Sequence, residues 1–315
     1  MKGLRALTII LAVTAAVFSV KATSQDREVS LRFKFPANQV RTYEQQVSGE
    51  MAMTMQILGQ GMPVMVNIKG KMTQTERVED VDKDGVATLT IVARGRVRSE
   101  ATGLPAGTEL PPEQDIPPIQ SRIKVNPLGK VLEVQVKLPE EGKRSPTPSP
   151  FGSDFLAMPQ MRGFTWQNLL LPENPVRVGD TWDITTKVDF RLEDRTVEVE
   201  VKGKARLVAF EKLDGRDCAV IEVTTEIPDL SELMRALPTP EEKAKVSATT
   251  EGQSVGKIWF DIVEGLVVKS EMSTDMTANF TITLQGGQGF SMSMQGNFRV
   301  EQRLTKIEQV KSEGK

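Results

Sequence analysis

Residues 40–57 read VRTYEQQVSGEMAMTMQI, and this stretch decides the fold because apolar and polar side chains alternate along most of it. One face of the extended chain carries the apolar members Tyr43, Val47, Met51, Met53, Met55 and Ile57. The opposite face carries the polar members Thr42, Glu44, Gln46, Ser48, Glu50 and Thr54. A period of two predicts a β-strand that buries one face and leaves the other in water.

The same alternation recurs over most of the chain. It predicts strands at 28–35, 40–57, 64–78, 87–97, 121–125 and 130–137, and again near 180–192, 196–210, 217–227, 255–261, 265–284 and 289–306. Glycines inside strands, such as Gly49 and Gly95, are typical of bends or bulges. We therefore predict a mainly β protein of about 12 strands, long compared with the usual strand, in antiparallel curved sheets or half-barrels with a few short helices.

An internal duplication accompanies this pattern. The motif VNIKGK at 66–71 resembles VEVKGK at 199–204. Each is followed by the rest of a strand, by an Asp-Gly turn at 84–85 or 214–215, and by an apolar strand. Two copies in one register predict two tandem related halves.

The duplication also divides the chain. We predict a first β half at 23–137, a linker with short apolar helices at 138–176, a second β half at 177–308 and a disordered tail at 309–315. The insertion at 229–246 has the pattern of a further helix, with Asp229 as its N-cap. The stretch at 151–171 is too apolar for a free linker, so its helices are expected to lie against the sheet.

The N-terminal residues have the pattern of a secretory signal peptide. Lys2 and Arg5 precede a mostly apolar run at 6–20, and cleavage is predicted after Ala22. The alternative is an uncleaved anchor, although a run of about 15 residues is short for a bilayer span of about 20. No cysteine lies near the cleavage site, which excludes the lipoprotein route. The protein is thus expected to be exported, either periplasmic or extracellular.

Cleavage would also change the charge. Residues 1–22 contain three of the 40 basic residues and none of the 42 acidic ones, so the net charge would move from −2 to −5. Phosphate binding requires a positive surface, and we therefore expect no nucleic-acid partner. After the signal, no stretch is apolar enough to predict a transmembrane segment.

The composition excludes several chemistries. The chain of 315 residues has no histidine, which rules out imidazole general bases, Ser-His-Asp triads and His-ligated metals. Cys218 is the single cysteine and cannot form an internal disulfide; it is expected to be an inert core thiol. We predict no catalytic residues, no metal site and no cofactor.

The methionines form the most unusual local pattern. Met51, Met53 and Met55 alternate on one strand face, and Met292 and Met294 repeat the spacing near the C-terminus. Flexible thioether side chains adapt to varied apolar partners, so these five residues are the candidate ligand-binding residues. One alternative is a core filled by the protein's own side chains, since an apolar sheet face is first of all a core. Another is Cu(I) binding, which lacks the usual His or Cys donors here.

The segment Asp80–Gly85 reads DVDKDG and fits the first half of a calcium loop. Its twelfth position would be Ile91, where a bidentate Glu is required, and its flanks have the period of strands. We therefore predict a hairpin turn in which Asp-Gly supplies the positive φ angles.

Four motifs of the second half carry a family resemblance: VGDTW (178–182), DGRDCAVI (214–221), GKIWFD (256–261) and GLVVKSE (265–271). With them the chain resembles a group of uncharacterised exported bacterial β-proteins, a domain of unknown function, over residues 170–275. That group is similar in outline to periplasmic lipoprotein carriers and lipid-binding lipoproteins, which fold as half-open barrels with helical lids. The resemblance implies apolar-ligand binding, at the level of the fold, and brings no catalytic residues.

The sequence therefore favours a non-enzymatic cell-envelope protein that binds lipid, another apolar ligand or a protein partner on a concave β face. A purely structural or assembly module of the envelope with a self-filled core is the alternative. An enzyme using carboxylates, or Lys and Ser, is the third reading, and the absence of histidine weakens it.

Overall fold

A computed structural model describes residues 27–57, 60–104, 113–137, 169–192, 195–229, 231, 245–283 and 289–310. Eleven β-strands make up the regular structure of this part. They are β1 (Gln39–Ile57), β2 (Gln60–Val81), β3 (Ala87–Thr102), β4 (Gln114–Val125), β5 (Val131–Lys137), β6 (Thr181–Leu192), β7 (Arg195–Leu213), β8 (Arg216–Glu226), β9 (Lys245–Asp261), β10 (Leu266–Thr283) and β11 (Gly289–Gln309). The predicted mainly β, antiparallel class is confirmed.

Several predicted segments lie outside the described residues. These are the signal peptide, nearly all of the predicted helices at 151–171 and 229–246, and most of the predicted tail. The short helices are therefore not confirmed. In the described part of the chain, no helix has the length and apolar character needed to cross a membrane.

The strands form one sheet that closes on itself. Each strand pairs with its neighbours in sequence, and β1 also pairs with β11, giving a closed barrel. The described pairings are antiparallel except for β5–β6, which is parallel around Val134 and Phe190. Because β5 and β6 are hydrogen-bonded to each other, the sheet is continuous between the two predicted halves. Two separate half-barrels are therefore not confirmed.

Length and curvature follow the sequence pattern. Strands β1, β2 and β11 have 19, 22 and 21 residues, and β1 pairs with β11 from end to end. The β3–β4 register shifts between Ala93 and Gly95, where a Cβ atom would collide with the backbone oxygen of Lys71. This close approach explains the glycine at a bend of the sheet and confirms the prediction at Gly95.

One end of the barrel is filled by two segments that are not strands. Residues 29–35 and 169–178 enter it and are tied there by backbone hydrogen bonds: Val29 and Val176 bond in both directions at 2.9 Å, and Phe33 N donates to Pro127 O at 2.8 Å. Buried side chains from both segments and from the surrounding strands form what we call the plugged core, with Leu31, Phe33, Phe35, Leu169, Leu171, Leu89, Ile123, Leu207, Ile221 and Phe260 among its members.

The plugged core corrects one prediction. Residues 28–35 were expected to form a strand, and their alternate burial is as predicted, with Leu31, Phe33 and Phe35 inside. The strand itself is wrong, because the segment forms a single isolated bridge, Val29 to Val176. Alternation reports which side chains are buried, and here the burial comes from insertion into a barrel.

Candidate apolar binding site

Four of the five predicted methionines lie on the inner face of the barrel. Strands β1 and β11 place Met53 opposite Met294 and Met55 opposite Met292. Met51, Met53 and Met294 are 2–3% exposed and Met292 is 9% exposed. Of Met55 the structure describes only the strand position. The sequence therefore placed Met51, Met53, Met292 and Met294 correctly on one buried face.

These residues belong to a larger set that we call the methionine cluster. Its buried members come from β1, β2, β3, β4, β10 and β11: Met51, Met53, Val64, Val66, Ile68, Met72, Val97, Ile116, Ala278, Met292, Met294 and Phe298. Half-buried Val47, Met62, Met276 and Phe280 pack against it. The set contains no charged side chain, and its methionines can change shape at low cost. This part of the barrel interior is therefore lined by apolar, deformable side chains.

A second layer of buried side chains is polar, and the sequence analysis missed it. We call Gln39, Arg41, Tyr43, Gln45, Gln74, Glu76, Ser270 and Gln302 the polar belt; each is at most 4% exposed. The belt lies between the two apolar sets, as β2 shows: Met72 belongs to the methionine cluster, Gln74 and Glu76 to the belt, and Val78 to the plugged core. The sequence does carry a signal for this belt. Gln45 lies two residues from both Tyr43 and Val47, so the alternation of the strand places it on the same inward side of β1.

Hydrogen bonds link many of these polar side chains. Gln45 Nε2 donates to Gln74 Oε1 at 2.9 Å, and Gln74 Nε2 donates to Glu76 Oε1 at 2.8 Å. Arg41 Nε donates to Gln39 Oε1 at 2.7 Å, and its NH2 donates to the backbone oxygen of Lys34 at 2.5 Å. The two charged side chains of the belt, Arg41 and Glu76, are therefore each hydrogen-bonded, as burial of a charge requires.

Tyr43 stays protonated in this environment. Burial raises the pKa of its phenol far above the usual range, and the charge of Glu76 raises it further, while Arg41 opposes both effects. The phenol therefore acts in this interior as a neutral hydrogen-bonding group.

In the described part of the chain, no group of three or more His, Cys, Asp or Glu side chains is arranged to hold a metal ion. The predicted hairpin turn is confirmed and joins β2 to β3 over residues 82–86: Asp82 Oδ1 accepts from the backbone nitrogens of Asp84 and Val86 at 2.9 Å. Gly85 has a φ of 79°, but Asp84 has no positive φ, so the prediction that both residues of the Asp-Gly pair adopt positive φ is wrong. Cys218 is buried as expected, and burial, followed by the charge of Asp261, raises the pKa of its thiol to about 11.

Two surface cavities have linings that mix polar and apolar residues. One, of about 590 Å³, is lined by Ile68 of the methionine cluster together with polar and charged residues that include Glu50, Lys69 and Arg98. The other, of about 640 Å³, is lined by residues between Leu170 and Asp183. A lipid site is usually lined predominantly by apolar residues, which is not the case for either cavity.

Comparison with known proteins gives only distant likenesses. No family model and no curated protein matches the chain. Among solved structures, one describing lipid–protein interactions in lipovitellin aligns with a TM-score of 0.41 and 10% identity over 90% of this chain, which spans 26% of the lipovitellin chain. A DUF1329 family protein from Desulfovibrio piger aligns with a TM-score of 0.15 and 10% identity over 88% of both chains. OccK7 from Pseudomonas aeruginosa aligns with a TM-score of 0.23 and 7% identity over 85% of this chain and 98% of its own.

Proposed function

We propose that the protein is an exported, non-enzymatic cell-envelope protein that binds an apolar ligand, with lipid as the leading class, at the methionine cluster. The observation that carries the proposal is a difference between the two ends of the barrel. The plugged core is filled by residues 29–35 and 169–178, whereas in the described part the methionine cluster is built from strand and strand-end side chains without an inserted segment. The exported location rests on the signal pattern of residues 1–22.

The character of the lining supports the same proposal. Methionines from three neighbouring strands face one another, with Met53 opposite Met294 across β1 and β11 and half-buried Met276 on β10. Unbranched thioethers have several rotamers of similar energy and can part around a guest. A branched aliphatic lining would specify one packed arrangement more strictly.

The second candidate is a structural module of the envelope with a self-filled interior. Its supporting observation is the low exposure of Met51, Met53 and Met294, at 2–3%. A carboxylate enzyme has less support, because both buried carboxylates of the described part are engaged by neighbouring groups. Glu76 accepts from Gln74, and Asp261 accepts from Arg216 at 2.8 Å and from the backbone nitrogens of Val263 and Glu264 at 2.8 and 2.9 Å.

We also propose that the barrel arose from a duplicated β unit. The β2–β3 and β7–β8 turns share an Asp-Gly pair, with φ of 79° at Gly85 and 78° at Gly215. The β4–β5 and β9–β10 turns share an Asx arrangement: Asn126 Oδ1 accepts from two backbone nitrogens, and so does Asp261 Oδ1. The Asp-Gly pairs and the Asx arrangements recur in the same order along the chain, which supports tandem copies merged into one sheet. The two Asp-Gly turns differ in length, since the β2–β3 turn spans residues 82–86 and the β7–β8 turn spans 214–215.

Phenylalanine substitutions at the methionine cluster test the binding proposal. Met53→Phe and Met294→Phe each add a ring to the interior, and Met65→Phe is the matched control because Met65 on β2 is 49% exposed. The mature protein is titrated with the neutral fluorophore N-phenyl-1-naphthylamine, and its stability is measured by urea unfolding. If the interior admits a guest, the wild type binds the fluorophore and both interior variants lose that binding with little change in stability. The control keeps it.

The structural alternative predicts the reverse pattern. A self-filled interior leaves no room for the added rings, so Met53→Phe and Met294→Phe would each destabilise the protein by about 1–3 kcal/mol. The wild type would then not bind the fluorophore. That pair of results would refute apolar-ligand binding at this site.

A further inference from the structure

The polar belt contains a row of side chains that are neighbours across three strands. Gln302 on β11 is the register partner of Ser270 on β10 and of Gln45 on β1. Exposure is 0% for Ser270 and Gln302 and 2% for Gln45. Directly opposed side chains have Cβ atoms about 4.5–5.5 Å apart, so one small chemical group can reach two members of this row.

Hydrogen bonding in this row is incomplete. Gln45 donates to Gln74, but the amide nitrogen and oxygen of Gln302 and the hydroxyl of Ser270 have no hydrogen-bond partner within the described part of the chain. A buried polar atom left without a partner costs about 1–3 kcal/mol. Three such atoms at adjacent positions are unusual for a folded interior and indicate a place for a hydrogen-bonding guest.

The row borders the methionine cluster directly. Gln45 is the register partner of Met72, a member of that cluster, and Met72 lies two residues from Gln74. On β10, the next inward residue after Ser270 is Met272, which is 5% exposed. A polar group bound at Gln302 and Ser270 would therefore continue into apolar surroundings.

The hydrogen-bonding chemistry of Gln302 and Ser270 indicates which class of ligand headgroup can bind there. An amide and a hydroxyl both donate and accept hydrogen bonds, as do neutral alcohols and amides. The cation of the belt, Arg41, is already engaged by Gln39 and by the backbone of Lys34. An anionic headgroup would thus be buried without a free counter-charge, which is costly.

We infer that the barrel binds a single-chain amphiphile with a neutral hydroxyl or amide headgroup. The headgroup hydrogen-bonds to Gln302 and Ser270, and the tail lies in the methionine cluster. This inference rests on the proposed function and names its ligand class.

The test uses delipidated mature protein and three probes: monoolein, oleate at pH 8 and N-phenyl-1-naphthylamine. Gln302→Leu removes the amide, and Gln295→Leu is the control because Gln295 is exposed on the same strand. Monoolein is expected to bind more tightly than oleate. Gln302→Leu should weaken monoolein binding by about tenfold or more, the equivalent of about one hydrogen bond, and should leave fluorophore binding unchanged. Gln295→Leu should change neither.

The outcomes separate this inference from the proposed function. Two results would refute the headgroup site and leave the apolar site standing, provided that the wild type binds the fluorophore. One is a monoolein affinity of Gln302→Leu within twofold of the wild-type affinity. The other is an oleate affinity equal to the monoolein affinity. If the wild type binds none of the probes, both are refuted. Gln302→Leu is expected to fold, since it removes buried unpartnered atoms; Ser270→Ala, with a smaller loss of monoolein binding, provides the second variant.

Discussion

Replacing Leu31 by alanine tests whether the segment at 29–35 supports the barrel from inside. Leu31 is 0% exposed and lies in the plugged core although it belongs to no strand. Removing a buried leucine side chain costs about 2–5 kcal/mol, depending on how far the surroundings can collapse into the space.

The structure places the expected loss in the upper part of that range. The backbone on both sides of Leu31 is held by hydrogen bonds from Val29 to Val176 and from Phe33 to Pro127. The segment therefore has little freedom to move inward, and we expect a loss of about 3–5 kcal/mol. Leu132→Ala is the matched control: Leu132 on β5 is 40% exposed, and the same substitution there should cost less than about 1 kcal/mol.

Urea unfolding followed by tryptophan fluorescence measures both variants. The predicted result is a large drop in the transition midpoint for Leu31→Ala and a small one for Leu132→Ala. Equal, small losses would refute the plugged core, because they would mean that residues 29–35 only cover the barrel without filling it.

Two further predictions concern single positions. Gly49→Ala should destabilise the protein by about 1–3 kcal/mol in thermal unfolding, because the added Cβ atom would lie 2.5 Å from the ring of Phe298. Gly61→Ala is the control and should be nearly neutral, because the atom nearest to its added Cβ, on Thr54, is 3.8 Å away. Equal effects of the two substitutions would contradict this packing. Cys218 has a thiol pKa raised to about 11, so its reactive thiolate is scarce at pH 8 and increases as the pH approaches 11. Iodoacetamide at pH 8 should label it about a hundredfold more slowly in the folded protein than in urea, and equal rates would contradict the burial.

The sequence was most informative where alternation and turn chemistry act locally. The inward placement of Met51 and Met53 follows from the period of two, and the β2–β3 turn follows from Asp84-Gly85. Both features depend on residues a few positions apart, so they can be predicted without knowing the rest of the fold.

Barrel closure and the assembly of the polar belt depend on distant residues; the local alternation indicates only that a residue such as Gln45 points inward, not which side chains it meets. Closure pairs Gln39 with Gln309, and nothing local specifies such a partner. The belt places Gln45, Gln74 and Gln302 from three strands side by side, whereas each alone is a polar residue in a strand. The strand prediction at 28–35 is wrong for a related reason. Alternating burial shows which side chains face the core, but it does not show whether the backbone pairs with neighbouring strands.

Native mass spectrometry of the protein, purified gently from its own host, tests the binding of an apolar ligand most directly. We expect a species heavier than the protein chain by the mass of one single-chain neutral amphiphile, which is lost on delipidation and restored by adding monoolein. A spectrum containing only the protein chain, unchanged by added monoolein, would contradict this binding.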